Sequence, residues 1–162
     1  NHNNPSFQDS TREKNSQTQG EEQMNATSSK KETVQNLQLF KNTLVGIYNN
    51  YPDRLLPNIT EVEESDDTVH QRWGGSDVSP VLVKSKPRKG ICWIIPVEGI
   101  LYLIPKANLI VNEFVSNTIE VLFDCQNYKS GLSDKFILIK PAEVTKSGEN
   151  WELKEKGILK FE

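Results

Sequence analysis

From Val78 onward no apolar run is longer than Ile91 to Val97, and every run is closed by glycine, proline or a polar turn. That texture constrains the fold most, because short runs rich in Val, Ile, Leu, Phe, Tyr and Trp bury themselves only by pairing as strands of a small barrel or sandwich. The runs are Val81 to Val83, Ile91 to Val97, Ile100 to Ile104, Leu109 to Val111, Ile119 to Phe123, Phe136 to Ile139, Trp151 to Leu153 and Ile158 to Phe161. Glu98-Gly99 reads as a tight hairpin and Lys146 to Asn150 as a second turn, since glycine accepts the positive φ such turns need. Pro96, Pro105 and Pro141 belong at edges, strand ends or bulges, where a missing N–H is tolerated. Ile119 to Phe123 is too short for periodicity to separate helix from strand and is taken as a strand.

Upstream the period changes. Leu37, Phe40, Leu44, Ile47 and Tyr51 recur at three and four residues, which places them along one helical stripe. Ser29-Lys30-Lys31-Glu32 has the spacing of a capping box, and Pro52 forces Tyr51 out of helical geometry. The spacing predicts a helix over 30–51. Its stripe is expected to pack on the chain's own sheet rather than in a coiled coil, which would need three or four heptads.

The hydrophobic fraction of 35% and mean hydropathy of −0.58 are low for a globular chain, and the deficit is local. From Asn1 to Thr33 the large apolar residues are Phe7 and Met24, too few to offset ordering entropy. Residues 1–29 are therefore read as a disordered polar arm or linker, with a docking peptide around Phe7 as the alternative, and 30–162 as helix plus barrel. The chain opens on Asn1, as a fragment or a processed product would. No apolar run approaches the ~20 residues of a membrane span, so no membrane partner is expected. A net charge of −3 gives no bulk attraction to polyanions.

Chemistry has few candidate groups. His2 lies in the arm, which leaves His70 as the one imidazole able to form a dyad with a nucleophile. Cys92 and Cys125 sit in apolar runs and are expected to be free, core-facing thiols. There is no C-x-x-C or H-x-x-x-H pair, and Gly74-Gly75 lacks the spacing of a phosphate loop, so neither a metal nor a cofactor is expected. Pro52 to Pro80 crowds Glu61, Glu63, Glu64, Asp66 and Asp67 without the pattern of a calcium loop, and is read as a solvated acidic connector. Asn25-Ala26-Thr27 and Asn58-Ile59-Thr60 match the glycosylation pattern, which three residues often do by chance.

Two surface features remain. Arg72 and Trp73 stand in a glycine-flanked stretch, where the indole is either a lid on the barrel or a partner anchor. Lys84, Lys86, Arg88 and Lys89 make the one dense basic run, expected as an exposed hairpin that either grips an anion or merely protects a sheet edge.

Tyr102-Leu103-Ile104-Pro105-Lys106-Ala107-Asn108, Leu122-Phe123-Asp124-Cys125, Phe136 through Val144 and Trp151 through Phe161 resemble the C-terminal β domain of uncharacterised bacterial proteins from photosynthetic prokaryotes. The resemblance spans about Leu44 to the end. It implies a bacterial, cytoplasmic module placed after variable polar segments in longer chains, and it carries no activity or functional residue with it. The expectation is a mainly β protein, a small SH3-like or OB-like barrel with one amphipathic helix packed on it. In function it is a noncatalytic protein-interaction module rather than an enzyme. The alternative is single-stranded nucleic-acid binding by the barrel face and the basic hairpin, and self-association through the helix stripe leaves the oligomeric state open.

Overall fold

The short apolar runs pair into two sheets, which the computed structural model describes over residues 39–132 and 135–162; from Phe40 these belong to one compact unit. In chain order the elements are helix α1 (39–50), a 3-10 turn (Pro52–Asn58), β1 (Thr60–Glu64), α2 (Asp66–Trp73), β2 (Val81–Lys84), β3 (Cys92–Val97), β4 (Ile100–Pro105), α3 (Glu113–Leu122), β5 (Phe123–Gln126), β6 (Phe136–Lys140), β7 (Ala142–Ser147), β8 (Asn150–Glu155) and β9 (Gly157–Phe161). Six strands close as an antiparallel barrel in the order β1-β2-β8-β7-β4-β3. The fold is thus a mainly β small barrel with a helix, as the sequence predicts. Closure satisfies every strand's two edges, which is how a barrel of such short strands avoids pairing with neighbours.

The hairpin of β3 and β4 turns at Glu98 and Gly99 (φ 50° and 82°), the paired positive values of a type I′ turn. Pro96 pairs with Leu101 of β4 and lies beyond Ile94, the last residue of β3 to face β1, so its missing N–H breaks no ladder.

A second, three-stranded sheet has the order β5-β9-β6, with β9 parallel to β5 and antiparallel to β6. Gly157 opens β9 where the chain passes the β6–β7 corner. A Cβ there would lie 2.6 Å from both the Ala142 nitrogen and the Lys140 oxygen, so only glycine lets the strand through.

Several expectations are corrected. Ile119 to Leu122 is helical, and the strand begins at Phe123. Asn112 caps α3 by accepting the Val115 N–H at 2.9 Å, and Ile119 and Leu122 share the inward face with Ser116. Leu109 to Val111 is an irregular approach to that helix, whereas Ala142–Ser147, not anticipated, is a barrel strand. The acidic connector is not a loop, for it holds the 3-10 turn, β1 and α2.

The inward face of α1 is rotated from the expected stripe. Leu44 and Tyr48 are buried and join the core, while Tyr51 is 58% exposed. Helical geometry ends before Tyr51, ahead of Pro52, as the sequence predicts. The capping box at Ser29, Leu37, the 1–29 arm and the Asn25 motif lie outside the described residues.

Candidate functional site

The two ends of the β1–β2 strand pair carry all six residues singled out from sequence, but in two separate groups. β1 and β2 run antiparallel, with Glu64 opposite Leu82 at one end and Val62 opposite Lys84 at the other.

At the first end α2 is inserted between Glu64 and Val81. Ser65 caps it by accepting the Thr68 N–H, and Asp66 and Asp67 fill its first turn, where the helix dipole favours negative charge. Thr68 and Arg72 stand four and eight residues after Glu64, one above the other on a single face. That face returns both to the glutamate. Arg72 donates to Glu64 from both terminal guanidinium nitrogens, at 2.5 and 2.6 Å, and Thr68 Oγ1 donates at 2.7 Å. From α3, Thr118 Oγ1 adds a fourth bond at 2.9 Å. The Glu64 side chain is 1% exposed. These hydrogen bonds, above all, hold the Arg72 guanidinium pKa above its ordinary value. Arg72 is therefore a structural ion-pair partner, not an exposed contact residue. One position further round the helix, Trp73 swings to solvent, 59% exposed and edge-on to His70 at 6.3 Å between ring centres. It is no lid on the barrel, which corrects that expectation.

The basic run lies at the other end. It is not a hairpin: β1 stands between β2 and β3, so the segment from Lys84 to Gly90 crosses over the start of β1. Glu61 staples it there. The Glu61 carbonyl accepts the Ser85 N–H at 3.1 Å and its hydroxyl at 3.2 Å. The carboxylate accepts the Gly90 N–H at 3.0 Å and the Trp93 indole N–H at 3.4 Å, and pairs with Lys106 at 3.2 Å. Burial pushes the Glu61 pKa up, but the Gly90, Lys106 and Trp93 contacts outweigh it and hold the carboxyl below its ordinary value. A Cβ on Gly90 would overlap the Glu61 side chain and come within 2.8 Å of the Val62 oxygen, so the close crossing requires glycine. Lys84, Lys86, Arg88 and Lys89 are all exposed, and among the described residues none has a carboxylate partner. Trp93 is buried with its N–H engaged and offers no stacking face.

The most exposed large apolar side chains of the described residues are elsewhere and were not singled out from sequence. Ile110, Phe114 and Leu132 are 71%, 77% and 81% exposed. Ile110 lines two adjoining grooves, one of about 470 Å³ with Tyr48, Leu109 and Phe136, the other of about 320 Å³ with Tyr128 and Leu132. The first groove runs beside β6, whose outer edge meets no further strand among the described residues. There the Asn49 side chain acts as a stand-in strand, donating to the Leu138 carbonyl at 2.8 Å and accepting its N–H at 2.9 Å. Ile110 was concealed in a run read as strand. Phe114 becomes legible only once α3 is assigned, because Val115, Ile119 and Leu122 then take the inward face and leave it outside.

Cys92 and Cys125 are free thiols; burial pushes the first well up and, as the leading cause, the second to about 11, away from reactive thiolate. Cys125 is half-buried rather than enclosed in the core as expected. Among the described residues no three His, Cys, Asp or Glu side chains are grouped to hold a metal, and no helix is long and apolar enough to cross a membrane. Comparison with protein-family models, with curated proteins and with solved structures finds no match.

Proposed function

We propose that this domain is a noncatalytic protein-interaction module whose partner docks on the apolar surface around Ile110, Phe114 and Leu132. The observation that carries this reading is three large apolar side chains, each more than two-thirds exposed, beside two grooves that share Ile110. Burying one such side chain is worth about 1.5–3 kcal/mol, and contiguous apolar surface beside grooves is where binding energy concentrates. The cytoplasmic bacterial setting and the place at the end of a longer chain, implied by the resemblance, belong to the same proposal.

Single-stranded nucleic-acid binding is the second reading, favoured by the four unpaired cations of the 84–89 loop. Its weakness is the lack of a stacking surface there, since Trp93 is buried and Trp73 lies at the far end of the β1–β2 pair.

A photo-crosslinking side chain in place of Phe114, in the full chain mixed with extract of its source cells, tests the first reading. One discrete protein should be captured, and capture should fail when the crosslinker replaces Glu149 instead. It should also fail in Ile110→Asp/Leu132→Asp, with the melting temperature unchanged. No captured protein, or capture that survives the double substitution, overturns the proposal.

A further inference from the structure

Resting on that docking surface, we infer that the partner segment carries acidic residues beside its apolar anchors, and that the 84–89 loop reads their charge. Three observations lead there. Lys84, Lys86, Arg88 and Lys89 fall within six positions that contain no acid, and none has a carboxylate partner among the described residues. The Glu61 carboxylate, which does touch the loop, is turned onto the Gly90 N–H and onto Lys106, so it stiffens the loop without pairing with its four cations. A stapled loop loses little conformational freedom on binding, which removes one of the main costs of a charged contact.

The second observation is continuity. Lys106 Nζ donates to the Arg88 carbonyl at 3.2 Å, and the very next residues, Ala107 to Ile110, form a wall of the larger groove. Lys106 thus ties the basic loop to the segment that walls the groove, a lining of mixed polar and apolar side chains.

The third is what the loop lacks. A nucleic-acid strand would want an aromatic face near the cations, and among the described residues Trp93, whose indole is tied to the same Glu61, is buried; such a strand would also leave Ile110, Phe114 and Leu132 without an occupant. A polypeptide with large apolar side chains and a run of Asp or Glu satisfies both surfaces. Such a contact raises the association rate and selects partner orientation more than it adds affinity, and added salt screens it.

Selection of random dodecamer peptides on the full chain tests this. Wild-type selection should enrich large apolar residues together with Asp and Glu. On Lys86→Glu/Arg88→Glu the acidic enrichment should vanish while the apolar anchors remain, and that variant should bind the best wild-type peptide about 10-fold more weakly, with the difference shrinking as salt is added. Apolar anchors without acidic enrichment overturn the charge inference and leave the docking surface standing. Peptides without apolar anchors, or no selected peptide, overturn the docking surface and the inference with it. Oligo(dT) bound more tightly than the best peptide, and weakened by the same reversal, assigns the loop to nucleic acid instead. Salt-sensitive self-association abolished by the reversal assigns it to a second copy of the chain.

Discussion

Glu61 and Glu64 lie on one short strand, yet they do opposite things with their charge. Glu64 is enclosed, meets both nitrogens of Arg72 and two threonine hydroxyls, and ties β1, α2 and α3 into one unit. Glu61 remains half-buried and spends its bonds on the backbone of a loop that keeps four cations facing water. The difference shows that an acidic run is not one feature. Where the strand end is covered by helices, a carboxylate becomes an internal fastener and takes the nearest arginine out of the surface. Where the strand end is open, the same side chain organises an exposed patch of opposite sign.

The sharpest way to break this comparison is Glu64→Ala, which leaves the Arg72 guanidinium part-buried without its counter-charge and Thr68 and Thr118 without an acceptor. It should cost about 3 kcal/mol in urea unfolding. A cost below about 1 kcal/mol would place Glu64 with ordinary surface pairs. At the other end, Gly90→Ala must push apart Glu61, Ser85 and the Val62 carbonyl, and should cost about 1–2 kcal/mol.

Glu61→Gln should remove only about 0.5–1 kcal/mol near neutral pH, because the pair with Lys106 is still reached and screened by water while the amide keeps an acceptor for the Gly90 N–H. Its signature is in acid. The folded Glu61 carboxyl sits below its unfolded value, so its contribution is complete above the ordinary glutamate range and is lost as pH falls through the lower folded value. Acid unfolding curves of wild type and Glu61→Gln should converge there. Trp73→Ala should change stability by less than about 0.5 kcal/mol, the mark of a side chain that covers nothing; a loss of several kcal/mol would restore the lid.

How far these positions could be read from sequence depends on whether their cause is local. The Glu98-Gly99 turn, the end of α1 before Pro52 and most barrel strands follow from neighbours in the chain, and all are legible. Glu64 is not, because three of its four hydrogen bonds come from α2, whose first residues read as an acidic loop, and the fourth comes from Thr118, far along the chain. The buried face of α1 is rotated from the stripe that the spacing predicts. Tyr51 continues the three-and-four spacing, but the helix stops before it, and Tyr48 takes the inward place beside Leu44. The six residues proposed for a site divided for the same reason: Arg72 answers to a carboxylate that local pattern cannot pair with it. Conversely, the exposure of Ile110 and Leu132 depends on which strands and helices fail to cover them, a property of the assembled fold.

β9 is the central strand of the three-stranded sheet and follows both of its neighbours, β5 and β6, in sequence. During synthesis, β5 and β6 therefore wait on the ribosome with no mutual pairing available until Phe161 has emerged. Through that interval the side of β6 not held by Asn49 is an unprotected template for strand pairing, so a stalled or clipped chain that stops short of Gly157 should be a target for chaperones and an aggregation hazard rather than a smaller working domain.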